Sequence, residues 1–113
     1  MGGDMQPQGH AQILVNIIDF GMGLQPAGDA ARFHHDGSTE PLGLPPMSDG
    51  GVVHFETGVP QAVADELARR GHKVIYTPGT PNFGGYQAIL RDPYTGVYWG
   101  ASEFRKDGLA AGY

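Results

Sequence analysis

The 113-residue sequence predicts one domain of the α/β or α+β class, because helix and strand patterns alternate between loops rich in glycine and proline. An apolar run after an early proline is typical of a buried helix. A strand, a helix and a strand are predicted in the middle of the chain, and two apolar segments joined by a turn predict a β-hairpin near its end. With 40% hydrophobic residues there is material for one core, so we expect residues 1–113 to form a single domain.

Two helices are the first predicted elements. One is expected from Pro7 to Phe20, with proline in its first turn and Gly21 as its stop. Its apolar residues cover most of its circumference, which predicts burial on several sides. A short second helix is expected from about Pro26 to Ala31, again with proline near its start.

A long surface loop separates these helices from the predicted strand, helix and strand. The loop covers residues 36–51, which include three prolines and four glycines. We expect a strand from Val52 to Glu56, a helix from Pro60 to Arg70 that ends at Gly71, and a strand from Lys73 to Thr77.

The predicted hairpin follows a loop at residues 79–85. Its strands are expected at Tyr86 to Arg91 and Val97 to Ser102, joined across residues 92–96. Three aromatic residues lie on or beside the hairpin and are expected to pack across its strands: Tyr94, Tyr98 and Trp99.

The pair Gly2 and Gly3, ahead of the first predicted helix, is the candidate functional site. Two small residues at a helix entrance leave adjacent backbone N–H groups free to point at an anion, and the helix dipole adds partial positive charge there. An oxyanion hole is built in this way. The competing interpretation is that the pair is only a flexible leader.

Composition and charge argue against several other functions. The net charge of −5 disfavours nucleic acid and anionic membranes as partners, because the seven Lys and Arg residues are scattered and form no basic face. No signal peptide is visible, and the apolar runs are far shorter than the roughly 20 residues that a membrane span requires. The absence of cysteine excludes disulfides and thiol nucleophiles and leaves the compartment open.

No metal or cofactor is expected, because the five histidines form no metal-binding motif. His34 and His35 are adjacent, so their side chains point in different directions. We expect both to hydrogen-bond to loop backbone.

Two pairs of charged residues are expected to have structural roles. Asp29 and Arg32 are predicted to form a surface ion pair. Arg105 and Asp107 are predicted to hold the chain terminus through the carboxylate of Tyr113.

Several blocks of sequence, in the same order, resemble the C-terminal part of the small subunit of γ-glutamyltransferases, also called γ-glutamyltranspeptidases. These blocks are MGGDMQPQGH at 1–10, QILVNIIDFGM at 12–22, DAARFHH at 29–35, GGYQAI at 84–89, and GAS, FRKDG and GY between 100 and 113. The resemblance spans nearly the whole chain and is weakest from Ser38 to Asp49.

This resemblance implies an α+β fold that is the C-terminal share of the αββα sandwich of N-terminal-nucleophile hydrolases. It implies that Gly2 and Gly3 donate N–H bonds to a tetrahedral oxyanion, and that the nucleophile, an N-terminal threonine exposed by self-cleavage, lies upstream of this chain. The implied reaction is cleavage of γ-glutamyl amides such as glutathione, without a cofactor. The implied partners are the large subunit and the N-terminal part of the small subunit.

Departures from the family pattern leave the substrate open. The block MGGDMQPQGH resembles a branch that includes amidases for other substrates, so a small amide of oxamate or acyl type is an alternative. The family's usual Asp-Pro-Arg is replaced by Glu103-Phe104-Arg105, which keeps the arginine and which we interpret as a structural variation. A non-catalytic domain for assembly or binding is the third alternative.

The chain by itself is expected to be inactive, because it contains no threonine in the family's nucleophile context. An excised share of the sandwich would also expose an apolar helix face and unpaired strand edges. We therefore expect the isolated chain to form a homo-oligomer.

Overall fold

A computed structural model describes residues 2–37, 50–79 and 83–112 of the chain. These residues belong to two compact units. The first unit combines Met1–Ala30 with Gly84–Tyr113, and the second unit is Ala31–Phe83. Both units mix helices with strands, as predicted. Within the described ranges, no helix is long and apolar enough to cross a membrane.

The helices of the first unit lie close to their predicted positions. A 3₁₀ turn at Gly3–Met5 leads into α1, Gln6–Ile18, with Pro7 in the first turn. Helix α2 covers Leu24–Asp29 and so begins and ends two residues earlier than predicted. Pro26 still lies in the first turn of α2, where backbone N–H groups have no intrahelical acceptor, and its missing N–H is tolerated there.

Helix α1 is not buried on several sides, so that expectation is wrong. None of its residues is buried, and Ile18 is 72% exposed. Its main neighbours among the described residues are the 3₁₀ turn and the six-residue α2, where Ala27 O accepts a hydrogen bond from Asn16 Nδ2 at 3.3 Å. These neighbours are too small to cover an apolar surface that extends around most of the helix.

The predicted hairpin is present in the first unit. Strand β4 is Gln87–Arg91 and strand β5 is Tyr98–Ser102, paired antiparallel. Trp99 lies opposite Leu90, so it has the cross-strand neighbour that the sequence predicts.

The turn of the hairpin is organised by Asp92. Its carboxylate accepts the backbone N–H groups of Thr95 at 2.9 Å and of Tyr94 at 2.8 Å. These two donors, Thr95 first and then Tyr94, hold the pKa of Asp92 below its ordinary value. Tyr94 is 96% exposed, so its expected packing across the strands is wrong, because it belongs to the turn and not to the ladder.

Helix α2 is attached to the hairpin side of the first unit by side-chain contacts. Gln25 Nε2 donates to Ser102 O at 3.0 Å, and Ser102 N donates to Gln25 Oε1 at 3.2 Å. The Tyr86 hydroxyl donates to Leu24 O at 3.0 Å. The Tyr86 ring lies so close to Gly28 that a Cβ at this glycine would overlap it.

Arg105 anchors the end of α2. Its guanidinium donates to Gly28 O and to Ala30 O, both at 2.8 Å, and forms an ion pair with Glu103. Both charged side chains are fully buried. The interpretation of the Glu103-Phe104-Arg105 block as structural therefore agrees with its contacts. Tyr113, which Arg105 and Asp107 were predicted to hold, lies outside the described residues.

The second unit contains a three-stranded sheet in the order β1, β2, β3. These strands are Phe33–Asp36, Val52–Phe55 and Val74–Tyr76. Strand β1 is antiparallel to β2, and β2 is parallel to β3. Helix α3, Gln61–Arg69, connects β2 to β3, as parallel strands require. The predicted strand, helix and strand are thus confirmed, each with slightly shorter bounds.

Strand β1 is absent from the sequence-based prediction. Its four residues, FHHD, have one apolar side chain and no alternation, so only pairing with β2 makes this segment a strand. Asp36 ends this strand and does not begin the predicted loop at 36–51. Residues 38–49 of that loop lie outside the described residues.

The interior of the second unit combines aromatic and charged groups. Phe55 is buried and meets the Tyr76 ring edge to face, with centroids 5.9 Å apart. Arg32 is also buried: its backbone N–H donates to Glu56 Oε2 at 2.8 Å, and its guanidinium donates to Phe83 O at 2.7 Å. The surface position that the predicted ion pair with Asp29 requires for Arg32 is therefore wrong, because Arg32 is buried.

Candidate oxyanion site

The candidate site is a turn in which two consecutive glycines have left-handed backbone conformations. Gly2 has φ +122° and Gly3 has φ +49°. A residue with a Cβ is strongly strained at the first angle, whereas Asn and Asp tolerate the second. A Cβ at Gly3 would meet nothing within 4 Å. The backbone, and not lack of space, is therefore what favours glycine at Gly3.

This turn leaves backbone donors at the entrance of a helix. Gly2 O accepts the N–H of Met5 at 2.9 Å and Gly3 O accepts the N–H of Gln6, so the 3₁₀ turn runs directly into α1. No acceptor among the described residues takes the N–H of Gly2 or Gly3. Because the first N–H groups of a helix carry partial positive charge, both donors are suited to an anionic ligand.

Two neighbours lie beside the turn. Met5 is 4% exposed, and a Cβ at Gly9, in the next turn of α1, would lie at an ordinary contact distance of 3.9 Å from Met5 Cε. On another side lies Gly84, whose Cα would be 3.5 Å from a Cβ at Gly2. Gly84 also has a left-handed backbone, with φ +74°. The double glycine Gly84-Gly85 thus approaches the double glycine Gly2-Gly3.

Sequence reasoning identified Gly2 and Gly3 but missed Gly84 as their neighbour. The two glycine pairs are more than 80 residues apart in the chain. The available signal was the doubled glycine itself, because adjacent glycines often mark a close approach of two backbone segments.

The histidines behave in two ways. His35 Nε2 lies 2.9 Å from Gly50 O, which confirms the expected contact with backbone. His34 Nε2 lies instead 3.2 Å from Asp36 Oδ1, because residues two apart in a strand share a face. Across the described part of the chain, no group of three or more His, Asp or Glu side chains is arranged to hold a metal ion.

The chain is similar in sequence and in fold to gamma-glutamyltranspeptidases and acylases. The sequence matches the Gamma-glutamyltranspeptidase family over residues 1–113. It is 38% identical to the Acylase ACY 1 proenzyme of Pseudomonas sp. (strain SE83) over 97 aligned residues. The aligned residues make up 86% of this chain and 14% of that protein. The cephalosporin acylase from Bacillus halodurans has a TM-score of 0.83 and 42% identity, covering 100% of this chain and 19% of that one.

An acivicin-inhibited gamma-glutamyltranspeptidase is similar at a TM-score of 0.65 and 28% identity, over 88% of this chain and 47% of that one. The chain spans only 14% and 19% of the length of the two acylases. The expected fold is confirmed, since the matching structures are N-terminal-nucleophile hydrolases that contain this α+β chain as a C-terminal portion. Since the family match extends over the whole sequence, this chain belongs to the gamma-glutamyltranspeptidase family.

Proposed function

We propose that the chain is the C-terminal part of the small subunit of an N-terminal-nucleophile amidohydrolase, in which the N–H groups of Gly2 and Gly3 stabilise the oxyanion. The observation that carries this proposal is the turn at the start of α1. Its two left-handed glycines leave both N–H groups without an acceptor among the described residues. Family membership supports the reaction class, which is acyl transfer from an amide.

The nucleophile in this proposal is an N-terminal threonine upstream of the chain. Its hydroxyl oxygen attacks the amide carbonyl carbon, and its own α-amino group accepts the proton. Negative charge then develops on the carbonyl oxygen, where two fixed N–H donors stabilise it without any reorganisation. The α-ammonium group then passes its proton to the leaving nitrogen, so collapse of this intermediate releases a neutral amine and leaves an ester on the threonine, which water or an acceptor amine cleaves. Gly2 and Gly3 supply electrostatic stabilisation and transfer no proton.

Two classes of amide are candidate substrates. The chain is 42% and 38% identical to the two acylases described above, and 28% identical to the acivicin-inhibited gamma-glutamyltranspeptidase. These identities favour an acyl amide over a γ-glutamyl amide such as glutathione. The γ-glutamyl amide is the second candidate, because the family match is to gamma-glutamyltranspeptidases.

The proposed partner of this chain is the rest of the same proenzyme. Large apolar side chains of α1 and the hairpin are exposed in the first unit, among them Ile18, Ile89 and Tyr98. Monomeric proteins rarely leave so much apolar surface open, and the upstream polypeptide is the proposed cover. Without it, we expect the isolated chain to self-associate through these surfaces into a homo-oligomer.

The test uses the full-length protein. It should cut itself into two subunits and expose a threonine at the new N-terminus, which electrophoresis and N-terminal sequencing would show. Steady-state kinetics should then give a kcat/KM for an acylated cephalosporin that exceeds the value for a γ-glutamyl anilide. The opposite preference would select the γ-glutamyl substrate. A chain that neither cleaves itself nor hydrolyses either compound would contradict the enzymatic role and favour a non-catalytic assembly domain.

A further inference from the structure

The second unit contains a continuous set of hydrogen bonds between a hydroxyl, two imidazoles and a carboxylate. Thr77 Oγ1 lies 2.9 Å from His54 Nδ1, and His54 Nε2 lies 3.1 Å from Asp36 Oδ2. His34 Nε2 lies 3.2 Å from the other oxygen of the same carboxylate. The proposed amidohydrolase mechanism uses none of these four residues.

Strand register brings the four side chains together. His34 lies opposite His54, and His54 lies beside Ile75 in β3. Side chains of residues two apart in a strand share a face, so Asp36 joins His34, and Thr77, two residues after Ile75, joins His54. His54 and Thr77 lie 23 positions apart in sequence, so their contact depends on the parallel pairing of β2 with β3.

The carboxylate determines the tautomer of His54. An ionised carboxylate only accepts hydrogen bonds, so His54 Nε2 must carry a proton to bond to Asp36. In the neutral ring, Nδ1 then has a free lone pair, and the Thr77 hydroxyl donates to it. A hydroxyl bonded to an imidazole that is itself oriented by a carboxylate is the arrangement that activates serine and threonine nucleophiles.

We propose that Thr77 is a second, independent nucleophile, activated by His54 and Asp36, which small activated esters acylate. Thr77 Oγ forms a bond to the ester carbonyl carbon, and its proton moves to His54 Nδ1. The alkoxide or phenoxide leaves with the bonding electrons, and the imidazolium, stabilised by Asp36, returns its proton to solvent. Thr77 is half-buried and the Asp36 side chain is 52% exposed, so a small reagent can approach this face.

The backbone limits the reaction to a single acylation. The N–H of Thr77 is donated to Phe55 O at 2.9 Å, and Pro78 has no N–H. Neither Thr77 nor Pro78 therefore offers a backbone oxyanion donor comparable to those of Gly2 and Gly3. We expect a stable acyl-threonine and no rapid turnover.

The test is incubation of the full-length protein with p-nitrophenyl acetate, followed by peptide mass mapping of acetylated residues. Thr95 is the matched internal control, because this exposed residue accepts the N–H of Val97 at 3.3 Å, bonds to the Asp92 side chain, and contacts no imidazole among the described residues. General-base assistance contributes about 10² to 10⁴ in rate, so Thr77 should be acetylated at least about 10² times faster than Thr95. Mapping also separates this product from acylation of the proposed N-terminal threonine.

Three variants decide between activation and simple proximity. His54→Gln should lower the acetylation rate of Thr77 by about 10² without changing that of Thr95. Thr77→Ser keeps the base contact and should remain reactive, and thermal unfolding of the glutamine variant checks that it is folded. Thr77→Val should remove the product. Acetylation of Thr77 no faster than that of Thr95, or an unchanged rate in a folded His54→Gln protein, would overturn the proposal.

Discussion

Removal of one N–H group from the turn at Gly3 is the sharpest perturbation of the candidate oxyanion site. Replacing Gly3 by glycolic acid in the full-length enzyme converts the amide between Gly2 and Gly3 to an ester, which has no N–H. The change adds no atoms that could collide, and it leaves the positive φ of +49° accessible. Proline, by contrast, would also force φ to about −65° and disrupt the turn.

Loss of a single oxyanion donor costs about 10² to 10³ in kcat, or roughly 2.7 to 4 kcal/mol of transition-state stabilisation. KM should change little, because the oxyanion exists only after attack on the carbonyl. The ester also makes Gly2 O a weaker acceptor for the Met5 N–H, now at 2.9 Å. The weaker hydrogen bond lowers the free energy of unfolding by about 1 kcal/mol at most, and thermal unfolding measures this effect separately from kcat.

Gly3→Asn is the matched control. Asparagine retains the N–H, tolerates φ +49°, and its Cβ would meet nothing within 4 Å. Its kcat should stay within about threefold of the original, a difference below about 1 kcal/mol. The assay is kcat and KM for amide hydrolysis by protein whose self-cleavage has been confirmed. A glycolic acid variant that matures and keeps its kcat would refute the oxyanion role of Gly3.

Three further predictions test the supports of the fold. Gly28→Ala places a Cβ within the Tyr86 ring and should lower stability by about 1 to 3 kcal/mol in urea unfolding, with recovery when Tyr86 is replaced by Leu. Arg105→Met removes the cation beside the buried Glu103 and should lower the free energy of unfolding by about 3 to 5 kcal/mol. Adding Glu103→Gln to the same chain should restore part of this stability. Equal stability of the single and double variants would contradict the pairing. Since the pKa of Asp92 is lowered from its ordinary 3.8, its contribution to the stability of the turn is present above that value and is lost as the pH falls through the lower folded-state pKa. The NMR signals of the hairpin turn should follow this loss of stability in acid, and Asp92→Asn should abolish their pH dependence. An unchanged pH profile would show that the carboxylate is not responsible.

The elements with strong local signals were predictable from the sequence. Helix α3 and the hairpin strands differ from their predicted bounds by at most one residue, because stop signals such as Gly71 and the turn at Asp92 act locally. Strand β1 was not predictable, because its polar residues become a strand only through pairing with β2. The expected burial of α1 on several sides was wrong for the described chain, since periodicity shows that a helix surface is apolar and does not show what covers it.

The geometry of the candidate site was not predictable from the sequence. A double glycine before a helix indicates an anion site, but the left-handed angles of Gly2 and Gly3 and the approach of Gly84 depend on the folded chain. The hydrogen bonds between Asp36, His54 and Thr77 were beyond sequence reasoning for the same reason. Each depends on strand register between distant segments, one of which was not predicted as a strand.

The central claim is that the N–H groups of Gly2 and Gly3 bind the oxyanion of an acylation intermediate. A crystal structure of the full-length mature enzyme with a boronic acid bound to its N-terminal threonine tests this directly, because the tetrahedral boronate imitates that intermediate. The result we predict is one boronate oxygen about 2.7 to 3.1 Å from both the Gly2 and the Gly3 backbone nitrogens. A boronate oxygen that is held by other donors, with both glycine N–H groups directed elsewhere, would contradict the claim.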